Sequence, residues 1–182
     1  MQSFRMSPPA KTTIGVMGSG ADRYEALAQP LGALLAGLEV NLLTGAGGGV
    51  MTAVSEAFVS SPRSRGICIG IVPCKNQKQR ATPKAGYPNE FVELPIYTHL
   101  PLSGNDGQHD LSRNHINILS SAAIVALPGG PGTASEVELA LSYDKPVIGF
   151  GEHEQQLAHY YRQLKRIFDI DAVEAFLRDC IG

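Results

Sequence analysis

Apolar residues in this chain fall into short runs separated by longer amphipathic stretches, and most of the runs stop at a glycine or proline. Runs of four to six apolar residues bounded by such breakers read as buried strands. They predict strands over Thr12–Met17, Val40–Leu43, Ile67–Val72, Phe91–Ile96, Ala123–Leu127 and Lys145–Phe150. Between them, apolar positions recur at helical spacing. Asp22 is placed to cap a helix running to Gly37, with Tyr24, Leu27, Leu31, Leu34 and Leu35 on its apolar face and a kink or break near Gln29 because of Pro30. Further helices are expected over Val50–Val59, from a cap at Asp110 over Leu111–Ser120, over Ala134–Leu141 with Glu136 in its first turn, over Glu154–Arg166 with Leu157, Tyr161 and Leu164 aligned, and over Ala172–Cys180.

Strands alternating with helices imply parallel pairing through right-handed crossovers. The expected fold is α/β: a doubly wound, mostly parallel, Rossmann-like sheet with helices on both faces, in three layers. In such sheets ligands bind at the carboxyl ends of the strands. Three glycine-rich turns, Gly18–Gly20, Gly45–Gly49 and Gly129–Gly132, follow strands directly and so share that edge. The segment Pro73–Asn89 belongs there as well, carrying Lys75, Lys78, Arg80 and Lys84 with no acidic residue. It reads either as a solvated loop or as a lid that gathers anions.

Composition adds bounds. A chain of 182 residues with 43% hydrophobic content is long enough for one domain with a sizeable core, over 12–182 behind a flexible leader at 1–11. A net charge of −2 disfavours nucleic acid as a partner. No apolar stretch is long enough to span a bilayer, and the leader lacks the apolar segment of a signal peptide. Cys68, Cys74 and Cys180 have no metal-ligand spacing, nor do the five histidines, so no metal site is expected; a reduced cytoplasmic protein fits. Cys74 stands at the binding edge, as an inert thiol or a ligand contact.

The most specific stretch is Ala123–Glu136. A buried strand, the turn Pro128-Gly129-Gly130-Pro131-Gly132, then Thr133 and a helix is the recipe for an anion site, because the first helical N–H groups are unpaired and the helix dipole is positive there. Gly129, Gly130, Gly132 and Thr133 are therefore candidate phosphate ligands, and Glu136 either caps the helix or faces the ligand. Gly18, Ser19 and Gly20 form a fragment of a dinucleotide fingerprint, readable as a tight turn or a phosphate contact. Gly45, Gly47, Gly48 and Gly49 lack the Lys-Ser/Thr of a P-loop and fit either close helix packing or ligand approach. Arg113 and Asn117, four residues apart on a predicted helix, face one way, with Asn114 a step round. A solvated face would carry Lys and Glu, whereas Arg offers bidentate geometry to phosphate or carboxylate.

Pro128-Gly-Gly-Pro-Gly-Thr-Ala-Ser-Glu136, with Arg113 upstream, resembles the signature of the LONELY GUY family, phosphoribohydrolases that activate cytokinins. That resemblance implies Arg113 and Glu136 as a catalytic pair at the N-glycosidic bond of a nucleoside 5′-monophosphate. Asn114 stands where those enzymes usually carry Lys. Ile14-Gly-Val-Met-Gly18, Ile116–Ser121 and Gly130–Leu141 resemble a second branch of the same SLOG superfamily, the molybdenum-cofactor carrier proteins. This resemblance implies a non-enzymatic binder of the molybdenum cofactor, a pterin with a terminal phosphate, held by the glycine turns, Arg113, Asn114 and Asn117. It further implies molybdoenzymes or cofactor-synthesis proteins as partners and a homodimer or homotetramer. A phosphorylated heterocycle is the ligand class common to both.

Overall fold

The computed structural model describes residues 11–160 and 163–182; the expected leader, apart from Lys11, lies outside them. Seven strands form one sheet: β1 (Thr13–Met17), β2 (Asn41–Thr44), β3 (Cys68–Val72), β4 (Leu94–Tyr97), β5 (Ala123–Ala126), β6 (Val147–Phe150) and β7 (Lys165–Ile167). Their order is β4-β3-β2-β1-β5-β6-β7, and every pairing is parallel. The chain steps outward from β1 to β4, then returns to lay β5 on the other side of β1, with Ile14–Met17 paired to Ala123–Ala126. The sheet therefore reverses its winding between β1 and β5, where a crevice opens at the carboxyl ends. The α/β doubly wound reading holds, with the sheet wholly parallel.

Alternation along the strands sends successive side chains to opposite faces. Ile14, Val16, Leu42, Cys68 and Val125 pack with Leu31 and Leu35 of α1 (Glu25–Gly37), Val54 and Phe58 of α2 (Val50–Val59), and Val173 and Leu177 of α6 (Ile170–Ile181). Met17, Leu43, Ile71 and Ile124 pack on the other face with Ile118 of α3 (Asn114–Leu119) and Leu139 and Ala140 of α4 (Pro131–Ser142). Gly32 lets α1 and α2 approach closely, since a Cβ there would lie 2.6 Å from the Val54 carbonyl oxygen. Pro30 does not break α1; it sits within the helix on the exposed face, where its missing N–H and ring meet solvent.

Local boundaries differ from expectation for identifiable reasons. Asp22 does not cap α1: its N–H donates to Ser19 Oγ at 2.9 Å, and the helix starts after Tyr24 in a left-handed conformation (φ 44°). Asp110 does not cap a helix either. The backbone around Leu111–Arg113 pairs with Leu102 instead, so α3 starts only at Asn114, after Arg113 at its N-cap. At Phe91 the chain is still turning, its N–H held by Asn89 Oδ1, and β4 begins at Leu94.

The largest departure is the helix expected over Glu154–Arg166. Among the described residues of that span, α5 (Glu154–Leu157) is the helical part, and Lys165–Ile167 joins the sheet as β7. Leu157 and Leu164 are buried together with Tyr160 against Ala126 and Val137, so their spacing reflects the packing of a bent segment. Tyr161 lies outside the described residues. In α4 the helix starts at Pro131, well suited to the first turn, which moves Glu136 into the second turn and rules out a capping role. Among the described residues no helix is long and apolar enough to cross a membrane.

Candidate functional site

Hydrogen bonds tie three glycine turns together at the carboxyl edge. Ser19 N donates to the Pro128 carbonyl at 3.0 Å, and Val50 N donates to the Ser19 carbonyl at 2.9 Å. The turns after β1 and β5, with Met51 at the start of α2, thus line a cavity of about 450 Å³. Gly18, Ser19, Gly20, Arg113, Asn114, Gly130, Gly132, Thr133 and Glu136 line it.

The remaining candidates, Gly45, Gly47, Gly48, Gly49, Asn117 and Gly129, do not line it. A Cβ on Gly45 would lie 2.5 Å from Arg113 Nη1, so its bareness makes room for the guanidinium. Gly49 has φ +61°, and a Cβ there would strike the Ser19 carbonyl oxygen at 2.3 Å. A Cβ on Gly129 would lie 2.2 Å from Thr133 Oγ1. These glycines are required for backbone approach within the protein. Asn117 stands behind Glu136 and donates from Nδ2 to its Oε1 at 3.0 Å.

The basic segment after β3 is a folded flap. Cys74 and Pro83 form an antiparallel bridge, Lys75 N donates to the Thr82 carbonyl at 2.8 Å, and Lys84 N donates to that of Pro73 at 3.0 Å. Asn89 ties its far end to the β2–α2 turn, with Nδ2 on the Gly47 carbonyl and N on the Ala46 carbonyl, both at 2.9 Å. The flap delivers Lys84 and Tyr87 to the cavity wall. Cys74 is buried, does not line the cavity, and its thiol faces the Asn76 carbonyl at 3.6 Å. Tyr87, Met17, Met51 and the Ser103–Gly104 turn are wall residues that the sequence reading did not single out. No motif marks them; only the position of their loops after strands signals the edge.

The electrostatics centre on Arg113 and Glu136. Arg113 is 4% exposed, and its Nε and Nη1 have no hydrogen-bond partner. Its guanidinium carbon lies 5.7 Å from the centroid of the Tyr87 ring, a cation–π distance. Burial pushes the Glu136 carboxyl above its ordinary range; the nearby charge of Arg113 and the Asn117 hydrogen bond pull the other way and are the smaller influences. Among the described residues no ion pair joins Arg113 to Glu136. A buried guanidinium with unpaired nitrogens is costly, and a bound anion offsets that cost. Arg113, Lys84, the Thr133 hydroxyl and the start of α4 therefore favour an anion, and phosphate suits their geometry. Among the described residues no cluster of His, Cys, Asp and Glu is arranged for a metal ion.

Solved structures share this architecture. The molybdenum cofactor binding protein of the phototrophic bacterium Rippkaea orientalis is 30% identical with a TM-score of 0.71, over 96% of this chain and 100% of that one. The molybdenum cofactor carrier protein of Chlamydomonas reinhardtii is 27% identical with a TM-score of 0.68, over 93% of this chain and 98% of that one. Among curated proteins, a cytokinin riboside 5′-monophosphate phosphoribohydrolase of Rhodococcoides fascians is 27% identical over 95% of this chain and 80% of its own length. With the family profile matching over residues 11–177, the chain belongs to the SLOG cluster 4 family.

Proposed function

We propose that this cavity binds a phosphorylated heterocycle and that the protein is a cytoplasmic carrier of the molybdenum cofactor. The observation that carries the reading is the Arg113 guanidinium, buried at the cavity wall with two nitrogens unengaged. A phosphate entering between Arg113 and the start of α4 meets charge-assisted donors on one side and backbone N–H groups on the other. Lys84 on the flap adds a third positive group. The likeness to two molybdenum-cofactor proteins over nearly their whole length supports the choice of cofactor. In this role the protein receives its ligand from cofactor-synthesis proteins, passes it to molybdoenzymes, and works as a homodimer or homotetramer.

A second reading is favoured by Glu136. Its carboxyl lines the cavity, is held by Asn117 and is biased toward protonation, as a general acid or base requires. In a phosphoribohydrolase it would stabilise the developing ribosyl cation or activate water, while Arg113 orients the ribose phosphate. Incubation with AMP and with isopentenyladenosine monophosphate separates the two readings. The carrier releases no free base and binds the molybdenum cofactor saturably, with affinity weakened in Arg113→Ala. Base release that disappears in Glu136→Ala would overturn the carrier reading.

A further inference from the structure

We infer that Tyr87 and Met51, closing over Gly47 on one side of the cavity, form a clamp for the planar ring of the ligand and set a preference for ring-bearing phosphates over aliphatic ones. The inference rests on the phosphate-binding reading and assigns the ring a place within it.

In the sheet, β1 stands between β2 and β5. The β5–α4 turn, with its anion-binding groups, and the β2–α2 turn therefore approach the cavity from opposite sides of the β1 edge. On the β2 side the wall presents Met51 and Tyr87, with the Arg113 guanidinium packed against Gly45 and 5.7 Å from the Tyr87 ring centroid. Met51 is 8% exposed, and its sulfur accepts the Gly47 N–H at 3.4 Å. A Cβ on Gly47 would lie 2.8 Å from Met51 Cε and 2.9 Å from Tyr87 Oη, so thioether and phenol ring both rest on bare backbone. Met17, 1% exposed, lines the cavity as well.

Both side chains of the clamp are held in place. Met51 belongs to the first turn of α2. Tyr87 N donates to the Lys84 carbonyl at 3.1 Å, and two residues later Asn89 pins the flap to Gly47 and Ala46. A polarisable sulfur beside an aromatic ring is a surface that a flat heterocycle covers well, with little demand on which heterocycle it is. The start of α4 lies across β1 from the clamp, and Arg113 beside Tyr87 reaches into the space between them, which suits a molecule with a phosphate at the α4 end and a ring at the other. Gly47, expected to approach the ligand itself, instead brings the clamp together.

The test compares 6-hydroxymethylpterin monophosphate, which has no N-glycosidic bond to cleave, with glycerol 3-phosphate as the ring-free probe, by titration calorimetry. Wild-type protein is expected to bind the pterin phosphate about 5- to 100-fold more tightly, the range that base–aromatic stacking supplies. Tyr87→Leu, checked for an intact thermal transition, shrinks that ratio toward one and leaves glycerol 3-phosphate affinity within about twofold. Tyr87→Phe retains the ratio. Equal binding of the two probes by wild-type protein, or an unchanged ratio in Tyr87→Leu, overturns the clamp while the phosphate reading stands. Equal weakening of both probes in Tyr87→Leu assigns Tyr87 to holding Arg113 and likewise overturns the clamp. Binding of neither probe by wild-type protein overturns the phosphate reading and the clamp with it.

Discussion

Asn117 Nδ2 donates to Glu136 Oε1 across 3.0 Å, and Asn117 is fully buried. The bond joins α3 to α4 beneath the cavity floor, and it is the hydrogen bond that orients the one carboxyl on the cavity wall. Asn117 does not line the cavity and touches its wall through Glu136, and its own Oδ1 is left without a partner among the described residues. Replacing Asn117 with Leu removes this donor from a buried carboxyl and is expected to cost about 1–3 kcal/mol in chemical denaturation.

Glu136 makes stability depend on pH in a defined direction. Its folded-state pKa lies above the ordinary 4.5, chiefly through burial. The folded protein therefore holds this proton more tightly than the unfolded chain, and stability from this group falls as pH rises above 4.5. Glu136→Gln removes the titration. Denaturation midpoints of variant and wild type should converge near about pH 4 and separate in favour of the variant toward about pH 8. A constant difference across that range would contradict the assignment.

Arg113 trades stability for binding. Arg113→Met keeps much of the side chain's length and removes a buried cation that makes no ion pair among the described residues. The ligand-free variant is expected to gain stability, because an apolar side chain replaces a buried guanidinium with two unpaired nitrogens. Its affinity for a phosphorylated ligand should fall by roughly 10- to 100-fold, the worth of a charge-assisted hydrogen bond. Urea denaturation and a phosphate-ester titration on the same preparation check both signs at once.

Tyr160 supports the turn from the far side. Its hydroxyl donates to the Leu127 carbonyl at 2.7 Å, the ring is 3% exposed, and burial pushes the phenol well above its usual range. Tyr160→Phe keeps the packing and leaves that carbonyl without its donor. A loss of about 1–2 kcal/mol is expected, read as a lowering of Tm by roughly 2–8 °C.

Gly49 tests the stitching of the turns. With φ +61° and the Ser19 carbonyl oxygen 2.3 Å from the position of a Cβ, an alanine there is strained and displaces the Ser19 turn. Gly49→Ala is expected to destabilise by about 2 kcal/mol or more. Because Ser19 lines the cavity and Gly49 does not, a fall in ligand affinity in this variant would report the displaced turn.

The local pattern of the chain carried the parallel sheet and pointed to Arg113 and Glu136, which line the cavity at its carboxyl edge. Apolar runs such as Ala123–Ala126, buried on both faces, announce central strands because a run too short for a helix between breakers fits a strand covered on both sides. The signature from Pro128 to Glu136 and the upstream Arg113 marked the cavity wall for the same reason: a helix start after a glycine turn is electropositive whatever surrounds it. Tertiary structure decided what local pattern cannot encode. Lys165–Ile167 is too short and too charged to announce a strand, and it becomes one by pairing with β6. A glycine gives the same sequence signal whether it admits a ligand or another part of the backbone, so only the packed turns show that Gly130 and Gly132 face the cavity while Gly45, Gly47 and Gly49 serve the protein's own contacts. Tyr87 carries no motif and reaches the wall only because Asn89 fastens the flap to a turn 42 residues earlier in the chain. Burial, which pushes the Glu136 carboxyl above its ordinary range and leaves two Arg113 nitrogens without a partner, is a property of the assembled fold.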